Sequence, residues 1–177
     1  MGAPSLGQIA DCRYHVVRTR VDDLVGAECF RQFESLVAYV EGDDPRAHLG
    51  GTIPRFPNLF CLYGPNTNPV VGSVIFMLEC QVRYIMGCVR EMLEGDIASM
   101  ECRQEAHDEY NERVDAEHEK MVWRHPRVHS YYNNDKGRVV TNAPWRLLDY
   151  WAMTKSPKLT DFSLREAVAS EGQDEAS

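Results

Sequence analysis

The chain has no surplus of positive charge. Lys and Arg total 19 against 27 Asp and Glu, a formal net charge of −8. That balance argues against nucleic acid or an anionic membrane as the main partner. Long hydrophobic runs are also missing. The longest, around Val70 to Leu78, falls far short of the roughly 20 apolar residues a spanning helix needs. At the start, MGAPSLGQIADCRYH holds no cationic segment followed by an apolar one, so no signal peptide is expected and the location read from it is cytoplasmic. Phosphate-gripping and nucleophile motifs are absent as well. No lysine stands between Gly64 and Gly72, as a GxxxxGK[ST] loop would require, and neither GxGxxG nor GxSxG occurs. None of the six cysteines forms a CxxC pair. With no secretory context, they read as reduced thiols that pack as small apolar groups.

What is present centres on Pro57 to Leu93. Leu59 to Tyr63 is a short, wholly apolar run, the pattern of a strand buried on both faces, and it is expected to be of parallel type. Gly64 to Gly72, GPNTNPVVG, is punctuated as a turn. From Ser73, an expected N-cap, a helical pattern begins. Glu79, Arg83, Arg90 and Glu94 share one stripe, while Val74, Leu78, Val82, Ile85 and Val89 lie on others, so covering is expected on more than one side. Glu79 and Arg83 at i, i+4 read as an ordinary ion pair. A strand, polar turn and capped helix in this order present backbone N–H groups, which suits an anionic cofactor. The same text also describes a tight connection with no ligand, and the pattern does not separate the two.

The flanks are less distinctive. Val21 to Val40 is compatible with a helix, CRYHVVRTR with a strand or a loop, and Gly42 to Pro45 with a turn. Gly95 caps the central helix. Met100 to Arg124 reads as a second, peripheral helix, docked by a thin line of Cys102, Ala106, Tyr110 and Val114 and ended by Pro126. His107 and His118 on it stand eleven residues apart, about 16 Å along a helix, so one ion cannot hold both. They read as solvated histidines. Tyr131-Tyr132 and Val139-Val140 flank an Asn/Asp/Gly cluster that suits a hairpin. Pro144 to Met153 is a short aromatic helix, with Trp145, Arg146 and Trp151 closing a core edge. From Ser163 the text becomes a polar, acidic tail.

Four segments in order carry a resemblance: AHLGGTIPRFPNLFCLYGPNTN, SVIFMLECQVRYI, HDEYNERVDAEHEKMVW and NNDKGRVVTNAPWRLLDYWAMT. Together they are similar to the C-terminal third of FAD- and NADPH-dependent monooxygenases of the Baeyer–Villiger type, especially the 4-hydroxyacetophenone monooxygenase-like enzymes. The resemblance spans residues 47–164. It leaves residues 1–46 unassigned and 165–177 as a disordered acidic tail. It implies an α/β fold: the C-terminal portion of a Rossmann-like FAD/NAD(P)-binding domain, strand–turn–helix, then a helical and irregular region. It implies FAD and NADPH as cofactors and a small ketone as substrate. Intact relatives reduce FAD with NADPH, trap O2 as a C4a-peroxyflavin and insert one oxygen atom into the ketone to give an ester.

Carried over position by position, the flavin-facing residues are Gly64, Pro65, Asn66 and Thr67, with Ser73 and Val74 at the helix start. The departures are equally informative. Val70-Val71-Gly72 stands where relatives commonly have Gly-His-Asn, and both glycine fingerprints and the FxGxxxHxxx motif are missing. No catalytic or metal-ligating residue can be named. The chain is therefore expected to be an incomplete piece, inactive by itself. The rival expectation is a non-catalytic helical protein that docks onto a partner chain through the Leu59–Tyr63 strand and the Val74–Ile85 helix.

Overall fold

A computed structural model describes residues 16–18, 42–125 and 130–167. The helix read over Val21 to Val40, and the last ten residues of the tail, lie outside these. In chain order the elements are β1 (Val16–Arg18), β2 (Leu59–Cys61), α1 (Val74–Glu94), β3 (Ile97–Cys102), α2 (Gln104–His118), α3 (Leu147–Met153) and β4 (Phe162–Glu166). Two single turns of tight helix, Val122–Arg124 and Leu159–Asp161, fill gaps between them. Two two-stranded sheets form, β1 with β2 and β3 with β4.

The centre folds as its punctuation dictates. β2 is short and its Phe60 and Cys61 are buried. The strand ends at Cys61, short of the expected Tyr63, which turns the chain with a left-handed backbone (φ 56°). Ser73 caps α1 by accepting the Phe76 N–H at 3.3 Å, and Gly95 stops it by donating to the Glu91 carbonyl at 3.0 Å. One feature differs from expectation. β2 pairs antiparallel with β1, Val16 opposite Cys61, where a parallel arrangement was expected. A three-residue ladder needs no crossover helix, so nothing local imposes a parallel partner.

The second helix starts later than its pattern indicates. Ile97–Cys102 is a strand because Phe162–Glu166 comes back to pair with it antiparallel, Met100 opposite Leu164. Long-range pairing overrides local propensity here. The helix proper runs only from Gln104 to His118, eight residues short of Pro126. β4 also carries regular structure through Glu166, inside the stretch read as tail. α3 begins at Leu147 behind an Arg146 N-cap, so Pro144 precedes the helix and is not in its first turn. The expected hairpin is present. Asn133 bridges Val139, Val140 N–H donates to the Tyr132 carbonyl at 2.9 Å, and Gly137 N–H to that of Asn134 at 2.8 Å.

The main core packs one face of α1 (Tyr84, Ile85, Cys88, Met92) against Phe60, Met100, Cys102, Phe162, Tyr110 and Val114. A smaller cluster joins Met77 and Cys80 to Tyr150 of α3 and Ala143. Cys61, Cys80, Cys88 and Cys102 are free and buried. Loss of hydration pushes the Cys61 thiol up to about 11 and those of Cys88 and Cys102 up to about 12, which keeps them protonated and inert. Two clusters thus cover α1, as expected, but among the described residues nothing covers its remaining side. Ile75 (68%), Val82 (46%), Met86 (59%) and Leu93 (77%) remain exposed. At about 100° per residue they stack in one line opposite the buried face. Glu79 is exposed beside them, and Arg83 turns away to donate to the Trp151 carbonyl at 2.8 Å, its guanidinium 5.0 Å from that ring.

Candidate functional site

Between β2 and α1 the turn is held from behind by residues 138–143. Asn66 has a left-handed backbone (φ 56°), which Asn tolerates better than most residues. Its N–H donates to the Val140 carbonyl at 3.1 Å. The side-chain amide donates to the carbonyls of Val139 (2.8 Å) and Asn142 (3.1 Å), and its oxygen accepts from Arg138 Nη2 at 3.1 Å. Thr67 Oγ1 donates to the Gly64 carbonyl at 2.6 Å and closes the turn on itself. Asn68 donates from Nδ2 to Asn142 Oδ1 (2.9 Å) and accepts from the Tyr63 hydroxyl (2.7 Å). Gly64 lies so near the backbone of Gly50 that a Cβ on it would meet the Gly50 carbonyl oxygen at 2.3 Å. Any larger residue at Gly64 would open this contact.

His118 completes the support, and its burial (2% exposed) overturns its reading as a solvated residue. Nδ1 accepts from the indole N–H of Trp123 at 3.2 Å, so the remaining proton sits on Nε2 and is donated to the Asn142 carbonyl at 3.0 Å. Burial drives its pKa down to about 4, consistent with a neutral ring. His107 is also buried (5%), its Nδ1 2.8 Å from Asp108. Both point inward because α2 lies under the 138–143 segment and the 44–48 loop. Arg138 bonds Asp115 through Nε at 2.8 Å and the Pro45 carbonyl through Nη1 at 3.3 Å. Asp115 in turn receives Arg46 Nη1 at 2.9 Å.

These contacts sort the six sequence-derived residues. Asn66 and Thr67 are 2% and 0% exposed, with side chains committed inward. Gly64 is buried and Pro65 half-buried, whereas Ser73 and Val74 are exposed at the open end of α1. The first turn of α1 holds no acidic residue, so no side chain there neutralises the partial positive charge of its N–H groups. The turn can offer backbone groups and a helix terminus to a ligand, but not the Asn66 or Thr67 side chains. Arg138, Asn142 and His118 were missed as parts of this unit. The bonds that tie them to the turn and to one another span 24 to 76 residues in sequence. Only the recurrence of asparagine at Asn66, Asn68 and Asn142 hinted at them. Among the described residues, no group of three or more His, Cys, Asp or Glu could hold a metal ion, and no helix is long and apolar enough to cross a membrane.

No protein-family profile matches the chain. Curated proteins do. It is 41% identical over 131 residues to the uncharacterized monooxygenase y4iD of Sinorhizobium fredii, covering 73% of this chain and 20% of that protein. To the FAD-binding monooxygenase ktnD of Aspergillus niger it is 34% identical over 127 residues, 70% of this chain and 21% of that one. A Baeyer–Villiger monooxygenase of Pseudomonas aeruginosa matches at 31% over 63% of this chain and 21% of its own length. The chain is related to the flavin-dependent monooxygenases. It spans about a fifth of the length of the curated relatives it matches. Solved structures agree on the fold. Steroid monooxygenase bound to NADP superposes with a TM-score of 0.58 at 22% identity, over 72% of this chain and 25% of that one. A cyclohexanone monooxygenase variant from Rhodococcus sp. Phi1 bound to NADP+ also scores 0.58, at 21% identity over 74% and 24%.

Proposed function

We propose that this chain is the flavin-end piece of an FAD- and NADPH-dependent monooxygenase that inserts oxygen into a ketone, and that it is inactive without the remainder of the flavin-binding unit. The observation that carries the reading is the rigid, inward-bonded turn that leaves the first turn of α1 open and unneutralised. A helix N-terminus beside a polar turn favours electron density on a nearby ring. Gly64 and Pro65, the backbone of Asn66 and Thr67, and Ser73 and Val74 are the groups assigned to FAD. Bound flavin would supply electron transfer and oxygen activation; this chain's residues would position it and fix the charge around it. Its pyrophosphate would need N–H groups from a glycine turn that the sequence lacks, and no residues here suit NADPH.

A second reading, docking onto a partner chain, gains support from the outward line Ile75, Val82, Met86 and Leu93. The two readings merge if the partner is the remaining flavin-binding part. The deciding experiment grafts residues 47–164 into the Pseudomonas aeruginosa relative in place of its matching segment. The chimera is expected to purify with FAD and to oxidise NADPH in the presence of a ketone. The 177-residue chain by itself is expected to give no ester with FAD, NADPH and an aryl ketone. A chimera that folds normally but holds no flavin would remove the proposal.

A further inference from the structure

A cleft of about 550 Å3 opens between the 48–49 loop, α2 and the segment that follows α3. That volume lies within the usual range for small-molecule sites. Leu49, Tyr110 and Met153 give it apolar walls, and three cationic side chains, Arg113, Lys155 and Lys158, stand on the lining with them. Among the described residues, no carboxylate lies within 4.0 Å of any of the three. Glu109 sits one helical turn before Arg113, the usual spacing for an ion pair, yet the two do not pair. Arg113 lies instead over Trp145, its guanidinium 5.4 Å from the ring and its Nη2 4.0 Å from the Met153 sulfur. Trp145 is itself fixed, donating its indole N–H to the Tyr110 hydroxyl at 2.9 Å. The fork of Arg113 is therefore held at the cleft wall with N–H groups to spare.

Charge selects the ligand. The three cations stand against two carboxylates on the lining, Glu109 and Asp161, which leaves one positive charge. His48 adds none at neutral pH, because burial lowers its pKa to about 4. Asp161 is turned to that histidine, 3.8 Å from its Nε2. In a chain of net charge −8, a cleft with a positive surplus is a local reversal of sign. One negative charge balances it, whereas a dianion would overshoot and be repelled by Glu109 and Asp161. A planar carboxylate also matches the guanidinium fork, and the apolar walls suit a body the size of a ring. We infer that the cleft binds a small monocarboxylate carried on an apolar ring, its two oxygens paired with Arg113 and its charge supported by Lys155 and Lys158. The cleft shares no lining residue with the 64–74 stretch, so this site stands or falls independently of the flavin reading.

The probe is benzoate, titrated into the 177-residue chain at low ionic strength and followed by the methyl NMR signal of Met153, which Met153→Leu identifies. Benzoate is expected to shift that signal saturably, and added sodium chloride to weaken the binding. Benzamide, alike in shape but uncharged, should bind at least about tenfold more weakly, the loss of a charge-assisted pair. Acetate keeps the charge but lacks the ring, and should lose at least about as much. Arg113→Gln should weaken benzoate by a similar factor with little change in Tm, because Arg113 holds no ion pair in the fold. Lys155→Gln combined with Lys158→Gln gives a second variant should Arg113→Gln fold poorly, with an expected loss of about threefold. Equal binding of benzamide or acetate would overturn the inference, and so would phenyl phosphate binding more tightly than benzoate. A Met153 signal that never saturates would overturn it too, leaving the three cations as solvated surface groups.

Discussion

The Gly64–Asn68 turn and the outer line of α1 lie a few residues apart in sequence and are opposite in burial. The turn is polar yet enclosed, with Asn66 and Thr67 at 2% and 0% exposure and Asn142 behind them at 0%. The line is apolar yet open, with Ile75 and Leu93 at 68% and 77%. Hydrophobic sorting within a self-contained domain would arrange them the other way round. Hydrogen bonding explains the first case, since nearly every polar atom of the turn finds a partner. An interface explains the second, since an apolar line that the described residues do not cover awaits a surface that does. A reader of hydropathy alone would misplace both.

The comparison breaks most decisively at Asn66. Asn66→Ala removes the amide that satisfies two carbonyls and the oxygen that receives Arg138, and it places alanine in a left-handed backbone. A loss of about 3 kcal/mol in urea unfolding is expected, from stranded polar groups plus backbone strain. A loss below about 1 kcal/mol would mean the turn is not a buried polar scaffold.

Lowering the pH probes two buried histidines, His118 beneath the turn and His48 on the neighbouring 44–48 loop. His118 and His48 each have a pKa near 4, pulled down chiefly by burial from the ordinary 6.5. As pH falls through 6.5 the unfolded chain takes up these protons, while the folded chain does so only near 4. The two histidines therefore contribute their full stability above about pH 6.5 and lose it between there and about 4, at up to about 1.4 kcal/mol per pH unit for each histidine. His118→Gln and His48→Gln should flatten this decline in urea midpoints. An equally steep decline in both variants would place its origin elsewhere.

How far the sequence disclosed these features depends on range. Ser73 and Gly95 mark the ends of α1 because capping is a local matter, decided within one turn. The Tyr131–Val140 hairpin was legible for the same reason, since Gly137 and the asparagines act on their neighbours. β3 was not. Its Met100–Cys102 end reads as the start of a helix until Phe162–Glu166 arrives to pair with it, and no window of sequence holds both. His118 failed in the same way: on a helix of charged residues it looks solvated, and only residues 138–143 bury it. Of the six turn and helix positions, all lie on one short stretch of chain. What stayed hidden was which of their side chains face inward.

A smaller effect is expected where turn meets helix. Ser73→Ala removes the oxygen that accepts the Phe76 N–H at the start of α1. Loss of such a cap costs about 1 kcal/mol. Ser73→Asp should recover it in thermal unfolding. Failure of the aspartate to recover it would show that the hydroxyl, and not capping as such, matters at this position.

Least of all should the fold respond to Ile75→Glu combined with Met86→Lys. Both side chains lie on the outer line, with 68% and 59% of their surface in solvent. Little apolar contact is lost by replacing them, and the new charges, eleven residues apart, lie about three helical turns from each other. Unfolding free energy should therefore stay within about 0.5 kcal/mol of the parent. Association should not. A line of four exposed apolar residues along some 27 Å of helix, at 1.5 Å per residue, gives neighbouring copies a continuous seam. The parent chain is expected to associate as its concentration rises, and the double variant to sediment as a monomer. In the grafted chimera the same two changes should prevent FAD incorporation, because a charged line could not close against the rest of the flavin-binding unit. If instead the double variant unfolds at several kcal/mol less than the parent, the line is already covered within this chain. Its contrast with the buried polar turn would then disappear, and with it the reason to look for a partner on that face.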